Sequence, residues 1–162
     1  KIWPMMVQDD SRNIRVKVKA IAEKTLDINQ FLVSKTGVEE GTPGKDDRAV
    51  RVTYHDPCHL KKSLGISDEP RTVVQANPGY RLAEMPEPDR CCGLGGSFNI
   101  QYYDISTEIG KRKRDNIAST GCSVVATGCP ACMIQLSDVL SKAGDRVMVK
   151  HPVEIYAEGL KS

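Results

Sequence analysis

The stretch Cys-Cys-Gly-Leu-Gly-Gly, residues 91–96, places two adjacent thiols directly before three glycines. Adjacent side chains on an extended chain point to opposite sides, so Cys91 and Cys92 reach one centre only where the backbone turns sharply. Glycine permits such a turn and lets backbone N–H groups approach sulfur closely. The stretch therefore predicts a tight loop that presents both thiols to a shared site.

Three further thiols lie in short motifs elsewhere in the chain. Cys58 belongs to Tyr-His-Asp-Pro-Cys-His at residues 54–59. Cys129 and Cys132 belong to Gly-Cys-Pro-Ala-Cys at residues 128–132, which completes the pattern C-x32-CC-x36-C-x2-C. A lone C-x2-C is often a redox pair or part of a metal site, and a vicinal pair is often two unrelated buried thiols. It is the joint pattern that indicates one site.

Composition excludes several classes of protein. The chain has 162 residues, a length typical of one domain with its own core, and 40% of them are hydrophobic. Its net charge of +2, from 23 Lys and Arg against 21 Asp and Glu, gives no electrostatic reason to expect nucleic-acid binding. The sequence has no apolar run long enough to span a bilayer, and we expect no signal peptide. Six cysteines in such a chain are typical of metal ligands or redox groups in a reducing compartment, which predicts a cytoplasmic protein.

Predicted strands and helices alternate along the chain, which favours an α/β fold with a mostly parallel sheet of about four strands and flanking helices. β-Branched and alternating apolar residues predict the strands, and apolar residues at helical spacing predict the helices. The predicted strands lie at 49–54, 80–85, 123–127 and 146–150. The predicted helices lie at about 11–34 and 69–76 and after residues 104, 130 and 151.

Residue types at helix ends set the predicted boundaries. Ser11 and Asp104 are predicted N-caps, and Asp27 predicts a second start inside the first helical stretch. Pro130 suits the first turn of a helix. The basic run Lys-Arg-Lys-Arg at residues 111–114 is predicted to lie on a solvated helix face.

The predicted topology brings thiols together. In a parallel sheet the carboxyl ends of the strands meet at one edge, where ligands gather. The cysteines that follow a predicted strand are expected at that edge, and they are Cys58, Cys91, Cys92, Cys129 and Cys132. Cys122 instead precedes the strand that Cys129 follows, so we expect it at the opposite edge as a small buried hydrophobe.

Five thiols favour a polynuclear metal centre. Structural zinc takes four ligands, and adjacent thiols fit poorly on one small ion. Cys91 and Cys92 can instead bind different irons of an iron–sulfur cluster. Cys129 and Cys132 lie at a predicted helix N-terminus, whose free N–H groups and positive dipole charge favour the thiolate.

The three histidines are weaker candidates. His55 and His59 flank Cys58, and a histidine in such a loop is more often a loop residue or a helix cap than a ligand. If the metal is zinc, His55 or His59 could serve as its fourth ligand. His151 follows a predicted strand, and we expect it to cap the last helix or to bond within its loop.

These motifs resemble the cysteine-rich CCG domain family, and the likeness covers roughly residues 50–160 with CCG at 91–93. That domain occurs in one subunit of heterodisulfide reductase and in the iron–sulfur subunits of glycolate oxidase and L-lactate dehydrogenase. The longer strings at 54–59, 90–99 and 126–132 are most similar to the glycolate and lactate branch. In that branch a complete subunit resembles a ferredoxin-like domain with two cluster motifs, followed by two CCG repeats.

The chain departs from that pattern by being short. It shows one CCG repeat and none of the ferredoxin cysteine spacing, so it resembles the C-terminal repeat of a larger subunit. Its first residue is Lys1, which fits either a removed start or a piece of a longer chain. We expect an N-terminal helical segment and linker at residues 1–48 and the cysteine-rich CCG domain at 49–162.

The resemblance implies that the five cysteines bind an iron–sulfur cluster of the [4Fe–4S] type, or zinc. It implies an electron-transfer module of a flavin-dependent glycolate or lactate dehydrogenase or oxidase complex. The expected partners are a flavin-containing dehydrogenase subunit and the remainder of its own iron–sulfur subunit. We expect no catalytic residue for hydroxy-acid oxidation in this chain, no nucleic-acid binding and no direct membrane insertion. The expected location is the cytoplasm, or the inner face of the membrane through partners.

Two alternatives stay open at the level of the sequence. One is a domain similar to heterodisulfide reductase, in which the cluster itself cleaves a disulfide substrate, and an open pocket beside the cluster would favour it. The other is a zinc-binding structural or assembly domain without a redox role. A visible absorption spectrum separates the iron–sulfur interpretations from the zinc interpretation.

Overall fold

Four parallel strands form one sheet in the part of the chain that this computed structural model describes, residues 12–41 and 49–160. The strands are β1 (Val50–Tyr54), β2 (Tyr80–Leu82), β3 (Val124–Ala126) and β4 (Met148–Lys150). A π-helical turn spans His59–Leu64, and the α-helices are α1 (Arg12–Lys24), α2 (Ile28–Thr36), α3 (Asp68–Gln75), α4 (Phe98–Gln101), α5 (Tyr103–Ala118), α6 (Pro130–Lys142) and α7 (Pro152–Gly159). None of these described helices is long and apolar enough to cross a membrane. The predicted α/β fold with a parallel sheet is confirmed.

The strand order is β2-β1-β3-β4, and every pairing is parallel. Val52 pairs with Leu82 on one side and with Val124 on the other, so β1 lies in the interior of the sheet. The chain leaves β1 for β2 on one side and later returns to the other side to form β3 and β4. The carboxyl ends of β1 and β3 therefore flank the point where the strand order reverses, and in such sheets ligands bind in the crevice at that point.

The sheet separates two apolar clusters. Because successive side chains of a strand point to opposite faces, Val125 packs into one cluster and Val124 packs into the other. The first cluster includes Ile117 of α5 and Leu136 of α6, and the second includes Ile155 of α7. All five side chains are fully buried, and burial of one such side chain stabilises the fold by about 1.5–3 kcal/mol relative to exposure.

A buried ion pair fixes the loop that follows β1. The carboxylate of Asp56 is fully buried and accepts hydrogen bonds from Arg71 at 2.8 and 3.1 Å, from Lys61 at 3.2 Å and from Ser67 at 3.1 Å. Burial alone would raise the pKa of Asp56, but these donors, Arg71 foremost, hold it below its usual value. Arg71 also pairs with Glu84 at 2.6 Å, so one guanidinium joins α3 to the segments after β1 and β2.

The second helix start predicted in the N-terminal stretch is confirmed. Asp27 is the N-cap of α2, and its carboxylate accepts hydrogen bonds from the backbone N–H groups of Asn29 and Gln30. The helix ends at Gly37, whose φ of +72° is the left-handed conformation common at helix ends. The predicted cap Ser11 lies outside the described residues.

The prediction that Asp104 caps a helix is wrong. Helix α5 begins at Tyr103, so Asp104 lies in its first turn rather than at its N-cap. The cap position belongs to Tyr102, whose N–H donates to the carbonyl of Phe98 at 2.8 Å. The short helix α4 therefore leads directly into α5 and occupies the place that a capping loop would need.

The basic run at residues 111–114 is not uniformly solvated, which corrects the sequence prediction. Lys111 and Arg112 keep 62% and 59% of their side chains exposed, but Lys113 is fully buried. Because an α-helix has about 3.6 residues per turn, position 113 lies on the same face as the buried Ile117 one turn later. The side chain of Lys113 therefore points into the domain.

The N-terminal helical segment packs against the cysteine-rich part of the chain. Helix α2 contacts α3 and α7, and its residue Asn29 is fully buried. The N–H of Gly41 donates to the carbonyl of Gln75 at 3.1 Å, which joins the end of this segment to α3. Residues 42–48 lie outside the described residues, and the domain boundary at residue 48 stays a prediction.

Replacing Arg71 by Met should destabilise the fold, because the buried carboxylate of Asp56 then loses its main partner. Removing one member of a buried ion pair costs about 3–5 kcal/mol, and we expect the lower end because Lys61 and Ser67 remain. Urea unfolding of anaerobically purified protein, followed by circular dichroism, measures the change in the free energy of unfolding. Arg81→Met, at an exposed position of β2, is the matched control, and an equal loss in both variants would contradict the assignment.

The effect of Arg71→Met should also depend on pH. A carboxylate whose folded-state pKa is lowered stabilises the folded state above its unfolded pKa, which is about 3.9. That stabilisation is lost as the pH falls through the folded-state pKa of Asp56. The difference between wild type and variant should therefore shrink below about pH 4 and stay constant near neutrality.

Candidate metal centre

The loops after β1 and β3 start side by side at the carboxyl edge of the sheet. Tyr54, the last residue of β1, pairs with Ala126, the last residue of β3. Cys58 lies in the loop after β1 and Cys129 lies in the loop after β3. Both thiols therefore reach the point where the strand order reverses, and the loop after β2 brings residues 91–96 to the same place.

A cavity of about 130 Å3 lies at this edge of the sheet, and all five cysteines predicted as ligands line it. The other described residues in its wall are His55, His59, Leu94, Gly95, Gly96 and Ala131, so this wall contains no carboxylate, lysine or arginine. The structure thus brings together the three cysteine-bearing loops in the way that the strand ends predict. That the five thiols bind metal stays a prediction.

The cavity has an exposed side and a buried side. Cys58 and Cys91 are exposed to solvent, whereas Cys92, Cys129 and Cys132 are buried. The Sγ atoms of Cys92 and Cys132 lie 3.4 Å apart. A group bound here would be shielded by the three buried thiols and accessible beside the two exposed ones.

The loop of the vicinal pair turns as its glycines predict. Gly93 has a φ of +102°, which residues with a side chain rarely adopt, and its N–H donates to Sγ of Cys91 at 3.3 Å. A Cβ atom at position 93 would lie 2.5 Å from the carbonyl oxygen of Ser106. The hydroxyl of Ser106 also donates to the carbonyl of Gly93 at 2.9 Å. Helix α5 therefore holds this turn so closely that a side chain at position 93 would displace it.

Cys129 and Cys132 open helix α6. Cys129 is the N-cap in an extended conformation, and Pro130 occupies the first turn, as predicted. The carbonyl of Cys129 accepts the N–H of Met133 at 2.9 Å. Cys132 lies in the first turn, where free N–H groups and the positive end of the helix dipole stabilise a negatively charged sulfur ligand.

His55 places an unpartnered nitrogen beside the buried thiols. Its ring is almost fully buried, and Nδ1 lies 3.1 Å from the carbonyl oxygen of Pro88. Because a carbonyl only accepts, Nδ1 carries the proton, and Nε2 has no hydrogen-bond partner among the described residues. A ring nitrogen of His55 and the sulfurs of Cys92 and Cys132 lie within 4.8 Å of one another. Burial, aided by the charge of Lys113, lowers the pKa of His55 to about 4, so the ring is neutral near pH 7.

The other two histidines play different parts. His59 is exposed, lines the cavity and begins the π-helical turn directly after Cys58. His151 is the N-cap of α7, and its Nδ1 accepts the N–H of Val153 at 3.2 Å. The side chain of Glu154 accepts the N–H of His151 in return, which completes a capping box. The predicted capping role of His151 is confirmed.

The pKa values of both vicinal thiols are raised above the usual value of a cysteine. The hydrogen bond with Cys132, foremost, raises the pKa of Cys92 to about 11. The hydrogen bond with Cys92, followed by burial, raises the pKa of Cys91 well above its usual range. A metal binds thiolates, so metal binding here must displace these protons and should weaken as the pH falls.

Cys122 lies apart from the cavity, as predicted. It is 5% exposed and precedes β3, whereas Cys129 follows that strand. The N–H of Cys122 donates to the hydroxyl of Thr120 at 3.1 Å, within the turn that links α5 to β3. Its environment is that of a small buried hydrophobe at the amino edge of the sheet.

The donors around the cavity fit a metal centre rich in sulfur. Thiolates and a neutral imidazole are soft or intermediate ligands, which select zinc or iron–sulfur clusters over magnesium or calcium. Five thiols exceed the four ligands of a structural zinc ion, and the free nitrogen of His55 adds a sixth donor. The site therefore fits a polynuclear cluster with all five thiols and fits zinc with four of its donors.

Two matched variants test whether the cavity thiols bind metal. Cys122→Ala and Cys129→Ala remove buried thiols from opposite ends of β3. After anaerobic reconstitution with iron and sulfide, iron content per chain should be unchanged in Cys122→Ala and clearly lower in Cys129→Ala. Equal iron content in both variants would contradict the predicted ligand set.

Oxidation of the metal-free protein should link the two buried thiols that lie in contact. Because the sulfurs of Cys92 and Cys132 are 3.4 Å apart, a mild oxidant such as diamide should join them as a disulfide with loss of two protons and two electrons. Peptide mapping by mass spectrometry should recover this linked pair and a free Cys122. A pair that includes Cys122 would be inconsistent with the observed placement.

The family model of the cysteine-rich domain CCG matches residues 52–137 of this chain, which contain all five thiols of the cavity. Lactate utilization protein A of Oceanobacillus iheyensis is 35% identical over 136 residues, which make up 83% of this chain and 54% of that protein. A subunit of the fumarate reductase (CoM/CoB) of Methanothermobacter marburgensis is 36% identical over 119 residues, or 74% of this chain and 24% of that protein. An uncharacterized iron-sulfur protein of Methanococcus maripaludis is 37% identical over 119 residues, or 74% of this chain and 23% of that protein.

This chain spans about half the length of the lactate utilization protein and about a quarter of the other two relatives. The segment matched by the family model is just over half of the 162 residues. It begins in β1 and ends in α6, so it includes both loops that flank the point of strand-order reversal. The chain belongs to the cysteine-rich CCG domain family.

Proposed function

We propose that this chain is an iron–sulfur electron-transfer module of a flavin-dependent complex that oxidises a 2-hydroxy acid, lactate or glycolate. The observation that carries the proposal is one cavity lined by five thiols. A cluster of the [4Fe–4S] type can use all five, since adjacent thiols can bind different irons, whereas a structural zinc ion leaves at least one thiol unused.

The names of the relatives support this chemistry. One relative is a lactate utilization protein and another is an iron-sulfur protein. The described wall of the cavity offers neither lysine nor arginine to bind the carboxylate of a hydroxy acid. We therefore assign hydroxy-acid oxidation to a flavin-containing partner subunit, and the adjoining electron carriers to the remainder of the iron–sulfur subunit.

The residues that would hold the cluster are Cys58, Cys91, Cys92, Cys129 and Cys132, and the cluster supplies electron transfer when bound. The chain's own groups stabilise negative charge at these sulfurs. The N–H of Gly93 donates to Sγ of Cys91, and the start of α6 places its dipole at Cys132. Hydrogen bonds to sulfur of this kind tune the reduction potential of a cluster.

We infer that a redox partner binds at the exposed side of the cavity. Cys58 and Cys91 are exposed, whereas the other three thiols are covered by the domain. The thiols that a partner can reach from solvent are therefore these two. In this proposal the flavin-containing partner, or the next electron carrier, contacts the surface around Cys58 and Cys91.

A second candidate function has one observation in its favour. A pocket of about 280 Å3 lies between the start of α2 and the π-helical turn, and it shares His59 with the thiol cavity. Its wall combines apolar side chains, such as Leu60 and Ile66, with polar ones. A small disulfide could bind there and accept two electrons and two protons to form two thiols. This would be the disulfide-cleaving role of a heterodisulfide-reductase-like domain.

Anaerobic purification and reconstitution test the proposed cofactor. The expected result is a coloured protein with iron–sulfur charge-transfer absorption and with iron and sulfide in similar amounts. A colourless protein that retains zinc would overturn the iron–sulfur proposal and favour a structural domain. The same preparation, reduced by dithionite, should not cleave a small mixed disulfide. Rapid stoichiometric cleavage would instead favour the second candidate function.

Replacing Cys91 by Ser separates electron transfer from hydroxy-acid oxidation. In the complete complex, Cys91→Ser should abolish electron transfer from the flavin subunit to the cluster, because it removes an iron ligand. Lactate oxidation by the flavin subunit with an artificial acceptor should persist, whereas its loss would contradict the proposed division of labour. Cys122→Ala is the matched control and should retain both activities.

A further inference from the structure

Lys113 differs from its neighbours in the basic run on helix α5. Lys111 and Arg112 are mostly exposed, while Lys113 has no exposed surface. Its ammonium group donates to the backbone carbonyls of Glu87 at 2.6 Å and Pro88 at 3.3 Å. These two residues belong to the segment that leads directly into the vicinal cysteines.

No carboxylate of the described residues forms an ion pair with Lys113. The carboxylate of Glu87 instead pairs with Arg90 and Arg112, so only its backbone oxygen contacts the ammonium group. Burying a charge without an opposite charge is costly, and lysine is rarely found fully buried unless it is paired. The two carbonyl oxygens satisfy hydrogen bonds of the ammonium group but carry no net charge to balance it.

Asp89 and Glu87 act on Lys113 without forming an ion pair, and the thiol cavity is the buried place where a further opposite charge would lie. The carbonyl oxygen of Pro88 accepts from Lys113 and also lies 3.1 Å from Nδ1 of His55, whose ring faces Cys92 and Cys132. Lys113 is therefore separated from the buried thiols by one peptide group and one imidazole ring. Burial lowers the pKa of Lys113 to about 8, and nearby negative charge, that of Asp89 foremost, acts in the opposite direction. A metal centre held by several thiolates is negatively charged and would add a buried opposite charge.

We propose that Lys113 is the buried counter-charge of the thiolate-bound metal centre, and that, given the proposed iron–sulfur function, its positive charge raises the reduction potential of the cluster. An electron added to a centre that is already negative is stabilised by a fixed positive charge nearby, more so in a medium of low dielectric constant. Lys113 is a positioning and tuning residue in this role, because it acts through space and touches none of the predicted ligands.

The alternative is a purely structural role, in which Lys113 only tethers the carbonyls of residues 87 and 88. The two roles predict different effects of metal. A tether contributes equally to the metal-free and the metal-loaded protein. A counter-charge stabilises mainly the loaded protein, because the opposite charge is present only there.

The test compares Lys113→Gln, which removes the charge but keeps N–H donors, with Lys113→Arg, which keeps the charge. Lys111→Gln, two residues away on the exposed face, is the matched control. Redox titration of the reconstituted proteins, followed by visible absorption and electron paramagnetic resonance, should show a more negative midpoint potential in Lys113→Gln. The potentials of Lys113→Arg and Lys111→Gln should stay close to wild type. A wild-type potential in a fully loaded Lys113→Gln protein would overturn the proposal.

Thermal unfolding supplies a second readout that does not depend on redox activity. The increase in Tm on metal loading should be smaller in Lys113→Gln than in wild type, and unchanged in Lys111→Gln. Equal loss of Tm with and without metal would overturn the proposal in favour of a tether. If Lys113→Gln does not fold without metal, Lys113→Met is used as the neutral variant. Failure of both neutral variants to fold would overturn the proposal in favour of a structural role.

These readouts distinguish failure of this inference from failure of the proposed function. If the wild-type protein takes up zinc and shows no iron–sulfur absorption, the iron–sulfur function is wrong. The thermal comparison still tests Lys113 in that case, because zinc bound by thiolates in place of thiols also brings negative charge into the cavity. If wild type forms the cluster and the Lys113 variants show neither effect, only the inference about Lys113 is wrong.

Discussion

The parallel pairing of β1 with β3 is the constraint on which the rest of the site depends. Their last residues, Tyr54 and Ala126, are partners in the sheet, so the two loops that follow begin side by side. β2 and β4 lie on the outer sides, so no strand separates these loops. The chemistry of the cavity wall then depends on the residues of the loops that meet there. These loops carry thiols at the point where other α/β folds place phosphate-binding glycines or carboxylates.

The carbonyl oxygen of Pro88 links the loop after β1 and helix α5 to the segment before Cys91. The oxygen of Pro88 accepts the backbone N–H of Asp56 at 3.0 Å and also lies within hydrogen-bond distance of His55 and Lys113. These donors come from the loop after β1 and from helix α5, which are distant in sequence. The position of the segment before Cys91 is therefore fixed from two sides. Loops held rigidly in this way keep ligands in place before metal binds, which limits the ordering needed on binding.

The fold and the convergence of thiols could be predicted from the sequence because their signals are local. Asp27 indicates the start of one helix, and Pro130, directly after Cys129, indicates the start of another. Both signals depend on the residue type at that position and not on distant parts of the chain. The burial of Lys113 could not be predicted from composition, since its partners are carbonyls 25 and 26 residues away in another loop. One signal was available: position 113 lies one helical turn before Ile117. The prediction for Asp104 failed because nothing local showed that α4 would occupy the space before α5.

The contrast between two exposed and three buried thiols has a consequence for how such a centre is made and lost. In the proposed function, iron and sulfide would enter beside the exposed Cys58 and Cys91, at the surface that a redox partner would also use. A maturation factor and the partner would then compete for one face, so that delivery would precede assembly of the complex. A bound partner would also cover the route by which oxygen reaches the cluster. Complex formation would therefore protect the cofactor as well as connect it.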